Sequence, residues 1–421
     1  MEKITAIKGI KDILPEDSPA WNNIESIARQ VFGSFGFREI RVPIMEKTEL
    51  FKRSIGETTD IVEKEMYTFR DRDDELLTLR PEATASIIRA YIEHNMQAYD
   101  QITKLFTIGP MFRREKPQKG RFRQFHQIDV ELLGDEKPQS DAEVIFMLVH
   151  FLESAGIEEL SLEINSLGCK ACRPVFSQAI VNHLKGSKNA LCPDCQRRMN
   201  TNPLRVFDCK VETCNSVIAK APQILDYLCP DCKEHFTQVK SYLTDLNVAY
   251  GINPKMVRGL DYYTKTAFEV KSGLLGAQNA LAGGGRYDGL VSLLGGPEVS
   301  GIGFAIGVER LLTCLPNNGK NIIFRTDLFV AALGERAQKV AFRLTNELRR
   351  AGISTEMDYG NKSLKSQMKR ADKLNSSFTL IIGDKEIDEK RVELRNMNTK
   401  NQQVLPMNNL LETIIKIIKK R

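Results

Sequence analysis

Apolar residues from Trp21 to Phe32 recur at helical spacing, and the segment after them alternates between apolar and polar positions. The first pattern predicts a helix over 18–36, and the second predicts a strand at FREIRVPIME in which Pro43 marks an edge or a bend. MYTFRDRDDELLTLRP then predicts a hairpin with its turn at 71–75. A helical pattern follows at EATASIIRAYIEHNM.

Four further segments alternate as strands do. They are ITKLFTIGPMFRR, RQFHQIDVELLG, TAFEVKS and GIGFAIG, the last running into a predicted helix at VERLLTCL. Consecutive strands with short connections favour an antiparallel sheet, so we expect an α+β fold for this part of the chain. The expected domain covers 1–325 and is interrupted at 167–246 by a cysteine-rich insertion of helices and turns.

The pattern changes from Asp327 onward. Strands and helices alternate there, which predicts a small α/β domain over 326–421 with a largely parallel sheet, and NNGKN at 317–321 reads as a linker. This last quarter carries 19 lysines and arginines against 12 acidic residues. A polyanionic partner would therefore be drawn to it, although a lysine-rich solvated surface is the alternative.

The composition is that of an ordinary globular protein. The 421 residues are 42% hydrophobic and 27% charged, and no run of about 18 apolar residues occurs. The N-terminus also lacks the apolar core of a signal peptide. We expect a cytoplasmic enzyme or binding protein with no membrane contact.

FRREKPQKGRFRQFHQ, at 112–127, concentrates six basic residues around a predicted hairpin turn. Arginines on strands suit fixed bidentate contacts with phosphate, whereas basic residues on a tip suit a nucleic-acid backbone. A solvated face is the third possibility. RGLDYYT at 258–264 mixes Arg258 and Asp261 with two phenols, and AGGGRYDGL at 282–290 has three glycines through which a ligand could approach the backbone closely.

Eight of the nine cysteines lie in the insertion, mostly in C-x2-C pairs. In a cytosolic chain this spacing favours two structural Zn²⁺ sites over disulfides, with a set of reduced thiols or redox chemistry as alternatives. The predicted ligands are Cys169, Cys172, Cys192, Cys195, Cys209, Cys214, Cys229 and Cys232. Cys314 is expected in the core.

These motifs together resemble the histidyl-tRNA synthetases, a family of class II aminoacyl-tRNA synthetases. FREIRVPIME, FRREKPQKGRFRQFHQIDVE and GIGFAIGVERLL are similar to the three class II motifs, and RGLDYYT and AGGGRYDGL to the two histidyl signatures. The resemblance implies a class II antiparallel-sheet catalytic domain with an anticodon-binding domain after it. It also implies activation of L-histidine by ATP with Mg²⁺, transfer to tRNA(His), and a homodimer formed at the first motif.

The resemblance further implies roles for individual residues. Arg113 and Arg258 would be catalytic, with Arg113, Glu115, Phe125 and Arg310 at ATP. The expected histidine-binding residues are Glu82, Ala83, Thr84, Arg113, Gln127, Glu131, Arg258, Tyr262 and Tyr263. The insertion needs no metal for function in this family.

One residue departs from the family pattern, and one group of lysines has two possible interpretations. Lys265 stands where the family usually has glycine, which bears on loop shape more than on chemistry. Lys362, Lys365, Lys369 and Lys373 predict a basic helix face for tRNA phosphates, with a solvated face as the alternative. The rival functions are a regulatory paralogue that binds histidine without charging tRNA, and a plain nucleic-acid-binding protein.

Overall fold

The computed structural model forms two compact units. They comprise Met1–Asn321 and Ile322–Arg421. The residues described are 3–57, 59–116, 120–275, 279–315 and 325–419. The predicted linker at 317–321 lies outside these ranges.

The first unit contains a large sheet and a small one. Its strands are β1 (Arg38–Glu39), β2 (Met45–Lys47), β3 (Tyr67–Arg70), β4 (Leu76–Leu79), β5 (Thr103–Phe112), β6 (Gln124–Leu133), β7 (Leu160–Ser166), β8 (Gly251–Ile252), β9 (Thr264–Ser272), β10 (Ala280–Arg286) and β11 (Gly301–Gly307). Eight strands pair in the order β1-β5-β6-β11-β10-β9-β7-β8, and β2-β4-β3 form the small sheet. Among the described residues of this unit, the parallel pairs are β1 with β5 and β8 with β7, at the two ends of the large sheet. The predicted antiparallel α+β fold is confirmed.

Helices cover this sheet and form the insertion. They are α1 (Ser18–Ser34), α2 (Thr48–Ile55), α3 (Thr84–Glu93), α4 (Pro138–Ser154), α5 (Cys172–Lys185), α6 (Pro193–Thr201), α7 (Glu212–Ile218), α8 (Pro230–Asp245), α9 (Leu290–Leu293) and α10 (Val308–Cys314). Short 3₁₀ turns occur at Met96–Ala98, Lys188–Ala190, Pro203–Asp208, Ile224–Tyr227 and Gly273–Leu275, and a π turn at Ile61–Glu65.

The main core lies where α1 and α4 pack on the large sheet. Phe32 of α1 meets Phe106 of β5, Phe151 of α4 and Phe304 of β11, with ring centroids 5.3 to 6.1 Å apart. All four rings are buried, and Cys314 belongs to the same cluster as expected. This apolar layer covers one face of the central strands, which leaves the opposite face for polar side chains.

The segment FREIRVPIME differs from its prediction as one strand. It divides into β1 in the large sheet and β2 in the small sheet, with the residues around Pro43 in neither. Proline lacks the N–H that a ladder needs. The Arg80 guanidinium satisfies the backbone there instead, with its Nη1 donating to Val42 O at 2.8 Å.

The basic hairpin of β5 and β6 is confirmed, and residues 117–119 of its turn lie outside the described ranges. Because β6 begins at Gln124, Arg121 and Arg123 precede the strand rather than alternating along it. Arg121 Nη1 pairs with Glu115 Oε2 at 2.8 Å.

The insertion consists of helices and turns, as predicted, with a small core of its own. That core includes Phe176, Ile180, Met199 and Val206. Its last helix, α8, packs differently, because Phe236, Val239 and Leu243 are buried in the main core of the first unit. The insertion is therefore anchored to the sheet through α8.

The second unit is a five-stranded sheet with helices. Its elements are β12 (Leu328–Leu333), α11 (Glu335–Arg350), β13 (Thr355–Met357), α12 (Leu364–Lys373), β14 (Phe378–Gly383), α13 (Asp384–Asp388), β15 (Arg391–Asn396), β16 (Gln402–Pro406) and α14 (Leu410–Lys419). The strand order is β13-β12-β14-β15-β16. The pairs β12–β13 and β12–β14 are parallel, whereas β14–β15 and β15–β16 are antiparallel. The sheet is thus mixed rather than largely parallel, because the last two strands are joined by a hairpin too short for a crossover.

On α12, Lys365, Lys369 and Lys373 are exposed as the spacing predicts. Lys362 precedes the helix and pairs with Asp358 Oδ2 at 3.4 Å. Across the described ranges, no helix has both the length and the apolar composition to cross a bilayer.

Candidate active site

A cavity of about 280 Å³ opens on the polar face of the large sheet. Its walls come from β6, β10 and β11, the residues that follow β5, the start of α3, the first turn of α10, and the loop 258–263. Every predicted histidine- or ATP-site residue except Ala83 lies on these walls. Those residues are Glu82, Thr84, Arg113, Glu115, Phe125, Gln127, Glu131, Arg258, Tyr262, Tyr263 and Arg310. Ala83 is buried in a small apolar cluster beside the cavity.

One face of β6 supplies the floor of the cavity. Gln127, Asp129 and Glu131 are two residues apart, so strand alternation turns all three toward the cavity, which they line. Exposure falls along the strand, and Asp129 and Glu131 are each 1% exposed. The floor therefore carries two carboxyl groups removed from solvent.

Glu131 is one of the two buried carboxyls of this floor. Thr84 Oγ1 donates to its Oε1 at 2.6 Å, and the Tyr287 hydroxyl donates to Oε2. Burial nevertheless raises the pKa of the Glu131 carboxyl to about 8, since the two hydrogen bonds only partly offset desolvation. Gly303 provides the space, because a Cβ there would lie 1.9 Å from Glu131 Oε2.

A third buried carboxyl, that of Glu82, lies beside those of Asp129 and Glu131. The backbone N–H of Ala85, in the first turn of α3, donates to Glu82 Oε1 at 3.1 Å, and burial raises the pKa of Glu82. Burial, followed by the charge of Glu82, raises the pKa of Asp129 well above its ordinary value. Asp129 Oδ2 has no hydrogen-bond partner among the described residues.

Gln127 adds a second unpartnered acceptor. Its Oε1 is buried and, within the described ranges, accepts no hydrogen bond. Tyr263 is buried on the facing wall, with its ring centroid 4.7 Å from that of Tyr262. Buried acceptors without partners carry a desolvation cost, and this marks the floor as a surface shaped for a ligand with donors.

Basic residues line the other part of the cavity. The Arg113 guanidinium lies 5.2 Å from the centroid of the Phe125 ring, and its Nε donates to Pro81 O at 2.9 Å. Arg310 Nη1 donates to Ala280 O at 2.7 Å. Burial, and then the nearby charge of Arg121, lower the pKa of Arg310. Fixed guanidinium groups in this arrangement favour a phosphate ligand.

Arg258 completes the cationic wall from the loop before β9. Its Nη1 pairs with Glu269 Oε2 at 2.8 Å, and its guanidinium lies 5.9 Å from the Tyr263 ring centroid. Gly283, one of the three glycines of β10, lines the cavity, and the close approach of a ligand to these glycines stays a prediction. A Cβ at Gly283 would lie 2.3 Å from Arg258 Nη2, and one at Gly284 would lie 2.0 Å from Gly303 O. These glycines make room for protein atoms.

The other residues of the glycine-rich signature divide by role. Arg286 is fully buried and pairs with Asp141, and its Nη1 donates to Asp135 O at 2.9 Å. Tyr287 instead reaches the cavity and bonds Glu131. Lys265, the departure from the family pattern, has φ 47° and places its Nζ 3.1 Å from Asp288 Oδ2.

The sequence reasoning missed several residues of the cavity. Asp129 was detectable, because it alternates with Gln127 and Glu131 on one predicted strand. Tyr287 and Glu309 lie within the AGGGRYDGL and GIGFAIGVERLL motifs, but their roles were not predicted, since their contacts come from distant segments. Glu309 accepts a hydrogen bond from the His126 backbone N–H at 2.9 Å, joining α10 to β6.

The eight insertion cysteines gather into two groups of four. One group is Cys169, Cys172, Cys229 and Cys232, and the other is Cys192, Cys195, Cys209 and Cys214. Within each group the sulfur atoms lie within 4.8 Å of one another, and all the cysteines have free thiols. Two sets of four convergent thiols can each hold a metal ion.

The two groups have similar local geometry. Cys169 Sγ lies 3.7 Å from Cys172 Sγ and 3.9 Å from Cys229 Sγ, and Cys192 Sγ lies 3.8 Å from Cys209 Sγ. Backbone N–H groups point at the sulfurs, as from Cys229 N to Cys172 Sγ at 3.1 Å. Such donors stabilise thiolates.

Comparison with protein families places both units. A family model described as histidyl-tRNA synthetase matches residues 9–311, and one described as anticodon binding domain matches residues 327–417. Together the two models cover most of the chain.

Individual relatives match over nearly their full length. A protein of Desulfosudis oleivorans named histidine–tRNA ligase is 54% identical over 416 residues, which cover 99% of this chain and 98% of that protein. A protein of Geobacter metallireducens with the same name is 55% identical over 399 residues, covering 95% and 96%. The apo crystal structure of S. aureus histidyl-tRNA synthetase has a TM-score of 0.84 at 41% identity, covering 98% of this chain and 100% of that one.

A more distant structure bears on the rival function. A Bacillus halodurans protein described as an ATP phosphoribosyltransferase regulatory subunit/histidyl-tRNA synthetase has a TM-score of 0.64 at 19% identity, covering 90% of this chain and 98% of that one. At that identity the likeness extends to the fold alone.

Proposed function

The chain belongs to the histidyl-tRNA synthetase family and is a histidine–tRNA ligase, and we propose that the cavity on its large sheet is where histidine is activated. The observation that carries this proposal is the buried floor of β6, where Gln127 Oε1 and Asp129 Oδ2 lack partners among the described residues. A substrate with an ammonium group and ring N–H donors would satisfy such acceptors. The regulatory paralogue is disfavoured, because the full-length relatives above 50% identity are ligases and the anticodon-binding model matches.

We propose that the acidic part of the cavity holds histidine. Glu82 and Thr84 bind the α-ammonium, while Gln127, Glu131, Tyr262 and Tyr263 bind the imidazole. A site built to pair both ring nitrogens rejects analogues without them, because its buried polar groups would then remain unpaired. Asp129, whose Oδ2 has no partner among the described residues, adds a further carboxyl near Glu82, where the α-ammonium binds.

The basic part of the cavity holds ATP in this proposal. Arg113 and Arg258 contact the α-phosphate, Arg310 lies against the γ-phosphate, and the adenine meets Glu115 and the Phe125 ring. Mg²⁺ would enter with ATP, bound to its phosphates. Arg113 and Arg310, both half-buried, are held by backbone carbonyls, so their positive charge is in place before the nucleotide arrives.

Activation then follows from this placement. A carboxylate oxygen of histidine attacks the α-phosphorus as the bond to the bridging oxygen breaks, and pyrophosphate leaves with that electron pair. The carboxylate is already ionised at neutral pH, so no proton has to be removed from it. In the second step a ribose hydroxyl of tRNA attacks the carbonyl carbon, AMP leaves with the electron pair of the bond between that carbon and its phosphate oxygen, and the hydroxyl proton is released. Positioning and fixed charge supply most of the catalysis in such reactions.

A histidine-dependent pyrophosphate exchange assay, followed by charging of total tRNA, tests the proposal. Glu131→Ala should abolish exchange while ATP binding, measured by calorimetry, is retained. Glu136→Ala is the matched control, since Glu136 is exposed. Equal loss of histidine activation and ATP binding in Glu131→Ala would contradict the division of the cavity.

We also propose that each cysteine group binds Zn²⁺. Four sulfurs about 2.3 Å from a tetrahedral ion lie about 3.8 Å apart, close to the 3.7 to 3.9 Å observed. Such ions would be structural, since each group offers four thiolates and leaves no open position. Elemental analysis of protein purified without chelator should give two zinc ions per chain, and zinc-free folded protein would refute the assignment.

Two partners complete the proposal. The exposed lysines of α12 contact tRNA(His) phosphates, and two chains pair as a homodimer near the first class II motif. The small sheet supports the dimer, because Met45, Phe69 and Leu76 are each at least 40% exposed there. Sedimentation equilibrium at micromolar concentration tests the dimer, and Met45→Lys should shift the protein toward monomer.

A further inference from the structure

The loop 258–263 supplies five residues of the cavity lining but forms neither helix nor strand. Arg258, Tyr262 and Tyr263 all project from it. Asp261 N donates to Ile55 O at a long 3.4 Å. A loop that presents catalytic side chains needs other contacts to keep them within a fraction of an ångström of their working positions.

Side chains of the insertion supply those contacts. Arg205 Nη2 donates to Gly259 O at 2.7 Å and to Asp261 Oδ1 at 2.8 Å, and Arg205 Nε reaches the same carboxylate oxygen at 3.1 Å. Asn202 Nδ2 donates to this oxygen as well, at 3.1 Å. From the other side Arg173 Nη1 donates to Asp261 O at 3.3 Å.

Arg205 is well placed to act as a rigid support. Its side chain is only 14% exposed, so its charge-assisted bonds are partly shielded from water. It lies in the turn Pro203–Asp208, between Cys195 and Cys209 of one cysteine group. Arg173 directly follows Cys172 of the other group. Both contacts with the loop therefore begin beside a cysteine group.

We propose that Arg205 is a positioning residue for histidine activation, holding the loop 258–263 so that Arg258 and Tyr263 face the substrates. The inference rests on the proposed function, since Arg258 acts there on the α-phosphate and the histidine carboxylate. The cysteine group with members on both sides of Arg205 in the sequence holds the turn Pro203–Asp208 in place. A metal in that group consequently stiffens the active site without touching the substrates.

The first test combines kinetics with a direct measure of the loop. Arg205→Ala should lower kcat for histidine-dependent pyrophosphate exchange on the order of 100-fold, as expected for a small misplacement of a catalytic group. The KM for ATP should stay unchanged. Hydrogen exchange measured by mass spectrometry should rise over 257–263 but not in α4. Lys220→Ala, an exposed change in the same insertion, should leave all three readouts at their wild-type values.

A double-mutant cycle separates positioning from general destabilisation. The losses of kcat from Arg205→Ala and Asp261→Asn should not multiply, because Arg205→Ala removes this ion pair and Asp261→Asn removes the carboxylate charge that strengthens it. Arg205→Lys should restore only part of kcat, since one ammonium cannot reproduce the two-pronged contact. If Arg205→Ala does not fold, the Arg205→Lys and Asp261→Asn pair carries the same comparison.

The outcomes that overturn the inference are distinct from failure of the proposed function. A folded Arg205→Ala protein with wild-type kcat and an unchanged loop would overturn it, as would full multiplication of the two changes. Wild-type protein without histidine-dependent exchange would instead refute the proposed function. Chelation of the metal should raise hydrogen exchange at 257–263 in wild type, and an unaffected loop would disconnect the cysteine group from the active site.

Discussion

Lys265 occupies a conformation that side chains rarely adopt. Its φ of 47° is left-handed, which suits glycine, yet a lysine stands there with its Nζ 3.1 Å from Asp288 Oδ2. The ion pair is partly exposed, so it offsets only part of the backbone strain. The departure from the family pattern is thus a local matter of backbone and charge, and it leaves the cavity intact.

This strain predicts an unusual order of stability. At ordinary positions glycine is about 0.5–1 kcal/mol less stabilising than alanine, but here Lys265→Gly should be more stable than Lys265→Ala by about 1 kcal/mol. Urea unfolding of the two variants gives the comparison, because neither can form the ion pair. Alanine at or above glycine in stability would show that the backbone is unstrained.

The buried carboxyl of Glu131 predicts a pH dependence. Its pKa is about 8 in the folded protein and near 4.5 when unfolded, so the folded chain holds the proton more tightly. The stability associated with that proton is complete below about pH 4.5 and is lost as the pH rises through 8. Between pH 5 and 9, the ligand-free wild type should lose unfolding free energy relative to Glu131→Gln.

Urea unfolding over a pH series measures this difference. Glu136→Gln, at an exposed position, should follow the wild type throughout. Parallel curves for wild type and Glu131→Gln would mean that Glu131 is ionised at all these pH values.

At the level of elements, alternation and helical spacing predicted the main strands and helices, because each buries one face. The FREIRVPIME segment failed as a single strand because Pro43 interrupts pairing and Arg80, from a distant segment, satisfies the backbone. The sequence also could not predict which cysteine pairs come together in each group of four. Spacing indicates pairs, but only the path of α5 and α8 brings the first pair to the last.

Replacing two glycines of β10 by alanine should have two different effects, one on catalysis and one on stability. Gly283→Ala meets the guanidinium of Arg258, a side-chain end that can move without moving the sheet, so it should lower kcat for exchange with little change in unfolding free energy. Gly284→Ala meets Gly303 O at 2.0 Å and Phe304, so the sheet itself has to shift and the protein should be destabilised by about 1–3 kcal/mol. Exchange kinetics and urea unfolding on both variants separate the effects. Equal loss of stability in both would contradict this account.

At the scale of the whole molecule, the family resemblance predicted the site residues and the charge distribution predicted the basic C-terminal unit. Local hydrophobic patterns alone predicted neither. The residues predicted to bind histidine or ATP match family motifs, and all of them except Ala83 line the cavity. Asp129, Tyr287 and Arg205 had no predicted role, because their positions in the site depend on segments far apart in sequence. The positive balance of the C-terminal unit was visible in the sequence, and its exposed lysines on α12 are confirmed.

Those lysines predict a salt-dependent affinity for tRNA. If they contact phosphates, log K should fall linearly with log salt concentration, and Lys369→Ala should reduce the slope by about one. Filter binding of tRNA(His) at several salt concentrations measures the slope. Lys339→Ala, exposed on α11, is the control. A flat response would mean that the stripe is a solvated face.

The cysteine group at the base of the insertion has a consequence for building chimeras. Cys169 and Cys172 meet Cys229 and Cys232, so the chain leaves and rejoins the catalytic unit at one point. Residues 173–228 are thus a cassette with its own core, whereas α8 belongs to the scaffold. Replacing residues 173–228 with the corresponding segment of a relative, while keeping these four cysteines and α8, would leave the attachment site of the insertion unchanged. The compatibility of the chimera would then depend on whether the incoming segment offers an arginine to Asp261.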